Sequence, residues 1–176
     1  IGVIKGMRGK EIVNAIFQAG RTTAPIMFLL ITAQMYSRLL AIGGAINYIK
    51  ALFLGLGIDP ILIIGLMMLI WIVLGMLIDS VSIILLTVPI FAPIAMTLGY
   101  DPIAFAIFGI LVIEAGLLTP PFGLLVYTVK GAVPDKTATL SMIFKGATPY
   151  FLLILVAALL VLFIPQLATW LPKIML

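Results

Sequence analysis

From Ile61 to Leu98 this chain carries a single charged residue, Asp79. Two consecutive apolar stretches of that length have no soluble partner large enough to hide them. The composition extends the constraint to the whole molecule. Hydrophobic residues make up 64% of the 176 and charged residues 9%, against roughly 45–50% and 25% in soluble domains. Ten basic and six acidic side chains cannot clothe a water-facing surface, and disorder needs the opposite balance. The alternating pattern of a membrane barrel is absent. The expected class is an all-α integral membrane protein.

With neither His nor Cys in the sequence, imidazole bases, thiolate nucleophiles and Cys/His metal sites are excluded. Acid–base catalysis would rest on Asp79 and Glu114 alone among the apolar segments, so an enzyme is not expected and no transition metal is predicted. The net charge of +4 fits Lys and Arg collected in cytoplasmic loops better than nucleic acid. No cleavable signal pattern is present. The polar, basic opening (Lys5, Arg8, Lys10, Glu11, Arg21) reads as a loop and suggests a piece of a longer polypeptide.

A helical span needs about 20 apolar residues. On that measure residues 1–21 form an amphipathic cytoplasmic or linker helix. Residues 22–60 hold a first span, with Thr32, Gln34, Ser37 and Arg38, and an amphipathic connector. Residues 61–98 form a pair of apolar arms meeting near 79–82, and residues 101–130 a long segment interrupted at 119–123. Residues 146–172 make a final span closed by Trp170 and Pro172. With residues 1–21 inside, Lys5, Arg8, Lys10, Arg21, Lys130, Lys136 and Lys145 lie on the cytoplasmic side. Arg38, Lys50 and Lys173 lie on the other, in accord with the positive-inside rule.

The interruptions carry the chemistry. Around Asp79 and Ser80 the arms are either two full spans with a tight turn or a re-entrant hairpin; Pro89 and Pro93, expected to disrupt the second arm, favour the hairpin. At Thr119-Pro120-Pro121 two donors are missing and the residue before the prolines is pushed out of helical angles. In lipid such an opening survives only inside protein or beside water. Its carbonyls and the Thr119 hydroxyl suit a hard cation such as Na⁺; a simple kink satisfied by a neighbouring helix is the plainer reading. Burying both interruptions together predicts that Asp79, Ser80 and Thr119 share one site, although Asp79 at a tip can equally cap the second arm. Glu114 is either a proton- or cation-linked carboxylate or the partner of a cation elsewhere.

The segments DSVSIILLTVPIFAPIAMTLGYDPI, EAGLLTPPFGLLVYTVKG and PQLATWLP resemble, in order and spacing, the C-terminal half of the large membrane subunit of TRAP (tripartite ATP-independent periplasmic) transporters. The first forty residues match only in character. The resemblance implies one repeat of an inverted-repeat elevator fold, with a re-entrant hairpin and a broken helix. It implies a Na⁺-coupled importer of carboxylates in the bacterial inner membrane, working with a small membrane subunit and a periplasmic substrate-binding protein. Na⁺ would lie at Gly75, Asp79, Ser80 and Ser82 from the tip and at Gly116, Thr119, Pro120 and Gly123 from the break. The substrate would lie against Ser80, Thr119, Pro120 and Pro121. No cofactor is implied beyond the coupling ion. The family uses two such repeats and this chain holds one, so the N-terminal half of the same subunit is an expected partner. A related elevator carrier for another anion, or a structural subunit without transport activity, are the alternatives. The identity of the carboxylate is not encoded in these residues.

Overall fold

The computed structural model describes residues 9–55, 57–133 and 139–175. All their regular structure is helical: α1 (Gly9–Ile42), α2 (Ala45–Gly55), α3 (Pro60–Gly75), α4 (Ser80–Thr97), α5 (Pro102–Leu117), α6 (Leu124–Ala132), α7 (Leu140–Phe163) and α8 (Gln166–Met175). The chain divides into two compact units at Gly43/Gly44. In the first, α1 is one helix of 34 residues with no buried residue. It passes residue 21 without interruption, where the sequence led us to separate a surface helix from a span. A lone Gly20 costs only about 1 kcal/mol in a helix, too little to end one.

The second unit is built around α3, α4 and α5. Asp59-Pro60 and Asp101-Pro102 open α3 and α5 in the same way, each with Asp at the N-cap and Pro at the first helical position, where its missing N–H is not needed. The Asp101 carboxylate accepts from the amides of Ile103 (2.9 Å) and Ala104 (3.0 Å). Asp79 caps α4, accepting from the Ser82 amide at 3.0 Å and the Ser82 hydroxyl at 2.6 Å. Gly99, at φ +88°, closes α4. Its amide bonds to Met96 O and that of Tyr100 to Ala95 O, both at 3.1 Å, satisfying carbonyls the helix end would strand. Burial first, then the nearby Asp59 charge, hold the Tyr100 phenol above its usual pKa, so the start of α3 lies beside the start of α5.

The core is aromatic at its centre. The Trp71 ring lies 5.3 Å from Phe91 and 5.4 Å from Phe105, centroid to centroid. Its indole N–H donates to Thr87 Oγ1 at 2.8 Å, and that hydroxyl donates to Ile83 O at 2.7 Å. A buried polar pair is thereby fully used, which an apolar surrounding requires. Gly109 makes the room: a Cβ there would stand 2.8 Å from the Trp71 ring.

Two expectations are corrected by this unit. The helix α4 runs through Pro89 and Pro93 without breaking. The prolines are four residues apart, so both missing bonds fall on one face, where a helix can curve. The C-terminal segment taken as one span over 146–172 is two helices, α7 and α8, parted at Pro165, because the residue before a proline leaves helical angles. Ile164, at φ −125° and ψ 75°, does so. In α7, Ala158, Val161 and Leu162 belong to the same buried cluster as Trp71 and Phe108. Of the polar 130–145 loop, Lys130 and Lys145 are helical, and Lys136 lies outside the described residues.

Of these helices, α1, α4 and α7 are long and apolar enough to cross a membrane. At 16 residues each, α3 and α5 reach ~24 Å, short of a hydrocarbon core of about 30 Å.

Candidate functional site

Because α3 and α5 start together and touch again at Trp71/Gly109, they run side by side in one direction. They end in direct backbone contact. A Cβ on Gly75 would stand 2.8 Å from Gly116 Cα and 2.9 Å from Ile113 O; one on Gly116 would stand 2.8 Å from Ile72 O and 2.9 Å from Gly75 Cα. Only a pair of glycines permits this approach, the way helices come closest inside membranes. The contact sets the turn at Met76–Asp79 beside the end of α5, just before its interruption. It thus brings together the C-terminal ends of α3 and α5, two regions about forty residues apart in sequence.

On the tip side, Asp79 is exposed and engaged with Ser82, while Ser80 and Ser82 are half-buried in the first turn of α4. The capping role weighed for Asp79 is the one its carboxylate performs. Each of its oxygens retains lone pairs beyond the bonds from Ser82.

On the break side, α5 stops at Leu117 and α6 begins at Leu124. The Leu118 and Thr119 amides tighten the last turn, bonding Ala115 O (3.1 Å) and Gly116 O (2.9 Å). The Thr119 hydroxyl donates to Ala115 O at 3.0 Å. The Pro120–Pro121 peptide is cis, and both prolines are exposed. Gly123 caps α6 in the left-handed region at φ 52°, and its carbonyl accepts from Val126 and Tyr127. A Cβ at Gly123 would lie 2.7 Å from the Phe144 ring and 3.2 Å from Thr119 O. Gly123→Ala is therefore expected to destabilise the break through both its φ and the clash, by about 1–3 kcal/mol. A fall in thermal midpoint of several degrees for the complete transporter checks this; an unchanged midpoint contradicts it.

The structure therefore joins Gly75 to Gly116 directly, and Asp79, Ser80 and Ser82 follow Gly75 by four, five and seven residues. Thr119 and Pro120 line a groove with α7 (Ser141, Phe144, Lys145, Thr148, Phe151), and no residue of the tip lines that groove. Glu114 is half-buried on α5, two residues from Gly116 and so on the far side of the helix from the glycine contact. Among the described residues no three His, Cys, Asp or Glu side chains gather as a metal site. The oxygens on offer are carbonyls, hydroxyls and one carboxylate, a donor set suited to hard cations. Sequence reasoning did not find the Trp71–Thr87 bond or the part of Phe144. The Gly109/Gly116 pair, seven residues apart on one face of α5, was a readable signal for the close packing.

A hairpin packed against a discontinuous helix, in a chain of apolar helices, is the build of a membrane transport protein. The sequence comparisons name the family. A family model described as "Tripartite ATP-independent periplasmic transporter, DctM component" matches residues 1–167, and the chain belongs to this family. It is 31% identical over 97% of its length to the C4-dicarboxylate TRAP transporter large permease protein DctM of Pseudomonas aeruginosa, covering 39% of that protein. With the corresponding DctM of Vibrio cholerae it shares 27% over 99% of its length, covering 38%. With the sialic acid TRAP transporter large permease protein SiaM of the same organism it shares 30% over 95%, covering 37%. The chain thus spans under two fifths of the length of these relatives, which are permeases rather than enzymes.

Proposed function

We propose that this chain is the second inverted repeat of a Na⁺-coupled importer of carboxylates. Na⁺ is held where the hairpin tip meets the broken helix. The observation that carries this reading is the Gly75–Gly116 contact, since it places helix ends and an acid in one region. Helix ends carry roughly half an elementary charge. The C-termini of α3 and α5 and the N-termini of α4 and α6 then cancel, leaving the Asp79 charge to favour a cation. Gly75, Ser80 and Ser82 from the tip and Gly116, Thr119, Pro120 and Gly123 from the break supply the neighbouring oxygens. The carboxylate substrate lies against Ser80, Thr119, Pro120 and Pro121.

In this reading α3 and α4 are a re-entrant hairpin, which the ~24 Å reach of α3 supports. Residues 61–130 travel as part of an elevator body in the bacterial inner membrane, and residues 22–60 and 146–172 belong to its scaffold. The N-terminal half of the subunit supplies the sister repeat. A small membrane subunit extends the scaffold, and a periplasmic protein delivers substrate. The names of the Pseudomonas and Vibrio relatives suggest C4-dicarboxylates or sialic acid as cargo. The test is a double-mutant cycle on Na⁺ affinity in the complete transporter, with Ser80→Ala and Thr119→Ala. Each change should raise the Na⁺ concentration for half-maximal uptake by about tenfold, and the pair by much less than the product, as expected of groups sharing one ion. Strict additivity, or no Na⁺ dependence in either variant, would refute the shared site.

A further inference from the structure

The groove beside the break has a volume of about 580 Å³, and the ion-coupling reading leaves most of it unused. Its α7 wall runs from Ser141 to Phe151, ~15 Å along the helix axis. The helix itself begins at Leu140 and is long and apolar enough to cross the bilayer. Ser141 and Lys145 therefore sit at headgroup depth, and Phe151 in the hydrocarbon. The groove is polar and cationic at one end and aromatic at the other. No acidic residue lines it among the described residues, and Lys145 forms no ion pair with any of them.

Its hydroxyls divide in the same sense. Thr148 donates to Phe144 O at 3.0 Å and Thr119 to Ala115 O at 3.0 Å, so neither offers its proton to a ligand. The donors left for an anion are the Lys145 ammonium and the Ser141 hydroxyl, both at the outer end. Pro149, inside α7, also denies the Lys145 carbonyl its helical donor. That turn consequently holds an acceptor for a headgroup hydroxyl.

We propose that this groove seats an anionic phospholipid, with its phosphate on Lys145 and Ser141 and an acyl chain along Phe144 and Phe151. A Lys near the membrane surface attracts anionic headgroups. For a free dicarboxylate the groove wall offers one cation, Lys145, to two charges. The lipid would also touch the break, since the Phe144 ring fills the space beside Gly123. The proposal needs only that α7 crosses the membrane and is independent of Na⁺ coupling.

The experiment is photolabelling of the complete transporter in phosphatidylcholine vesicles containing a trace of photoactivatable phosphatidylglycerol, with the labelled peptide identified by mass spectrometry. Label should concentrate in residues 140–151. Lys145→Gln should lower it about fivefold, the factor expected for one Lys–headgroup contact, and Lys145→Arg should retain it. Equal labelling by a photoactivatable phosphatidylcholine, an arm run on the unaltered protein, would reduce the groove to a hydrocarbon contact and overturn the proposal. Undiminished labelling of Lys145→Gln would do the same. Loss of label on adding succinate would overturn it in favour of a free carboxylate.

Discussion

Gly116→Ala is expected to abolish most Na⁺-driven uptake by the complete transporter, lowering it by more than about tenfold. The added methyl has no free space. It would meet the Ile72 carbonyl at 2.8 Å and the Gly75 backbone at 2.9 Å, and backbone cannot swing aside as a flexible side chain can. Relief requires α3 and α5 to part where their C-terminal ends adjoin. Overpacking of a tight core costs about 1–3 kcal/mol, and a backbone contact belongs at the upper end. Gly65→Ala in the same hairpin is the control, because a Cβ there meets nothing within 4 Å. It should leave uptake intact and stabilise α3 by about 0.5–1 kcal/mol. If the two variants transport equally well, the Gly75–Gly116 contact does not organise the site.

Replacing Pro120 and Pro121 together with Ala is expected to spare membrane insertion and to reduce Na⁺-driven uptake more than about tenfold. Each proline disfavours a helix interior by about 3 kcal/mol, so the pair is the main local obstacle to joining α5 and α6. With both donors restored, the carbonyls before the break acquire helical partners and are lost as ion ligands. Gly123 and its packing against Phe144 oppose the repair, which is why the readout is transport rather than helix content. Uptake equal to that of the unaltered transporter would mean that the prolines only kink a span.

The membrane class and the interruptions at Asp79 and at Pro120-Pro121 were legible in the residues, because each depends on local chemistry. Sixteen charges in 176 residues decide the solvent whatever the fold. Two adjacent prolines lack two donors wherever they lie, and α5 duly ends before them. Asp79 announced a helix start for the same reason. The capping of Ser82 by Asp79 was one of the two roles its position allowed.

What the sequence by itself could not determine was which helix faces meet. Apart from Glu114, the helices α3 and α5 are apolar all round, since lipid and protein interior are equally apolar surroundings, so periodicity does not mark the protein-facing side. Contact there is selected by shape: glycine against glycine at 75 and 116, and Trp71 over Gly109. The same indifference hid the place of α7, whose Ala158, Val161 and Leu162 complete the core although nothing in their own run distinguishes them from lipid-facing residues. It also made Pro89 and Pro93 misleading, because a proline strands a carbonyl locally while the surrounding packing decides whether the helix breaks or curves. Composition and local hydrogen-bonding chemistry thus settled the solvent and the interruptions at Asp79 and Pro120-Pro121. Only close packing in three dimensions decided that the ends of α3 and α5 adjoin, because that contact depends on the room two glycines leave and not on any polarity the sequence displays.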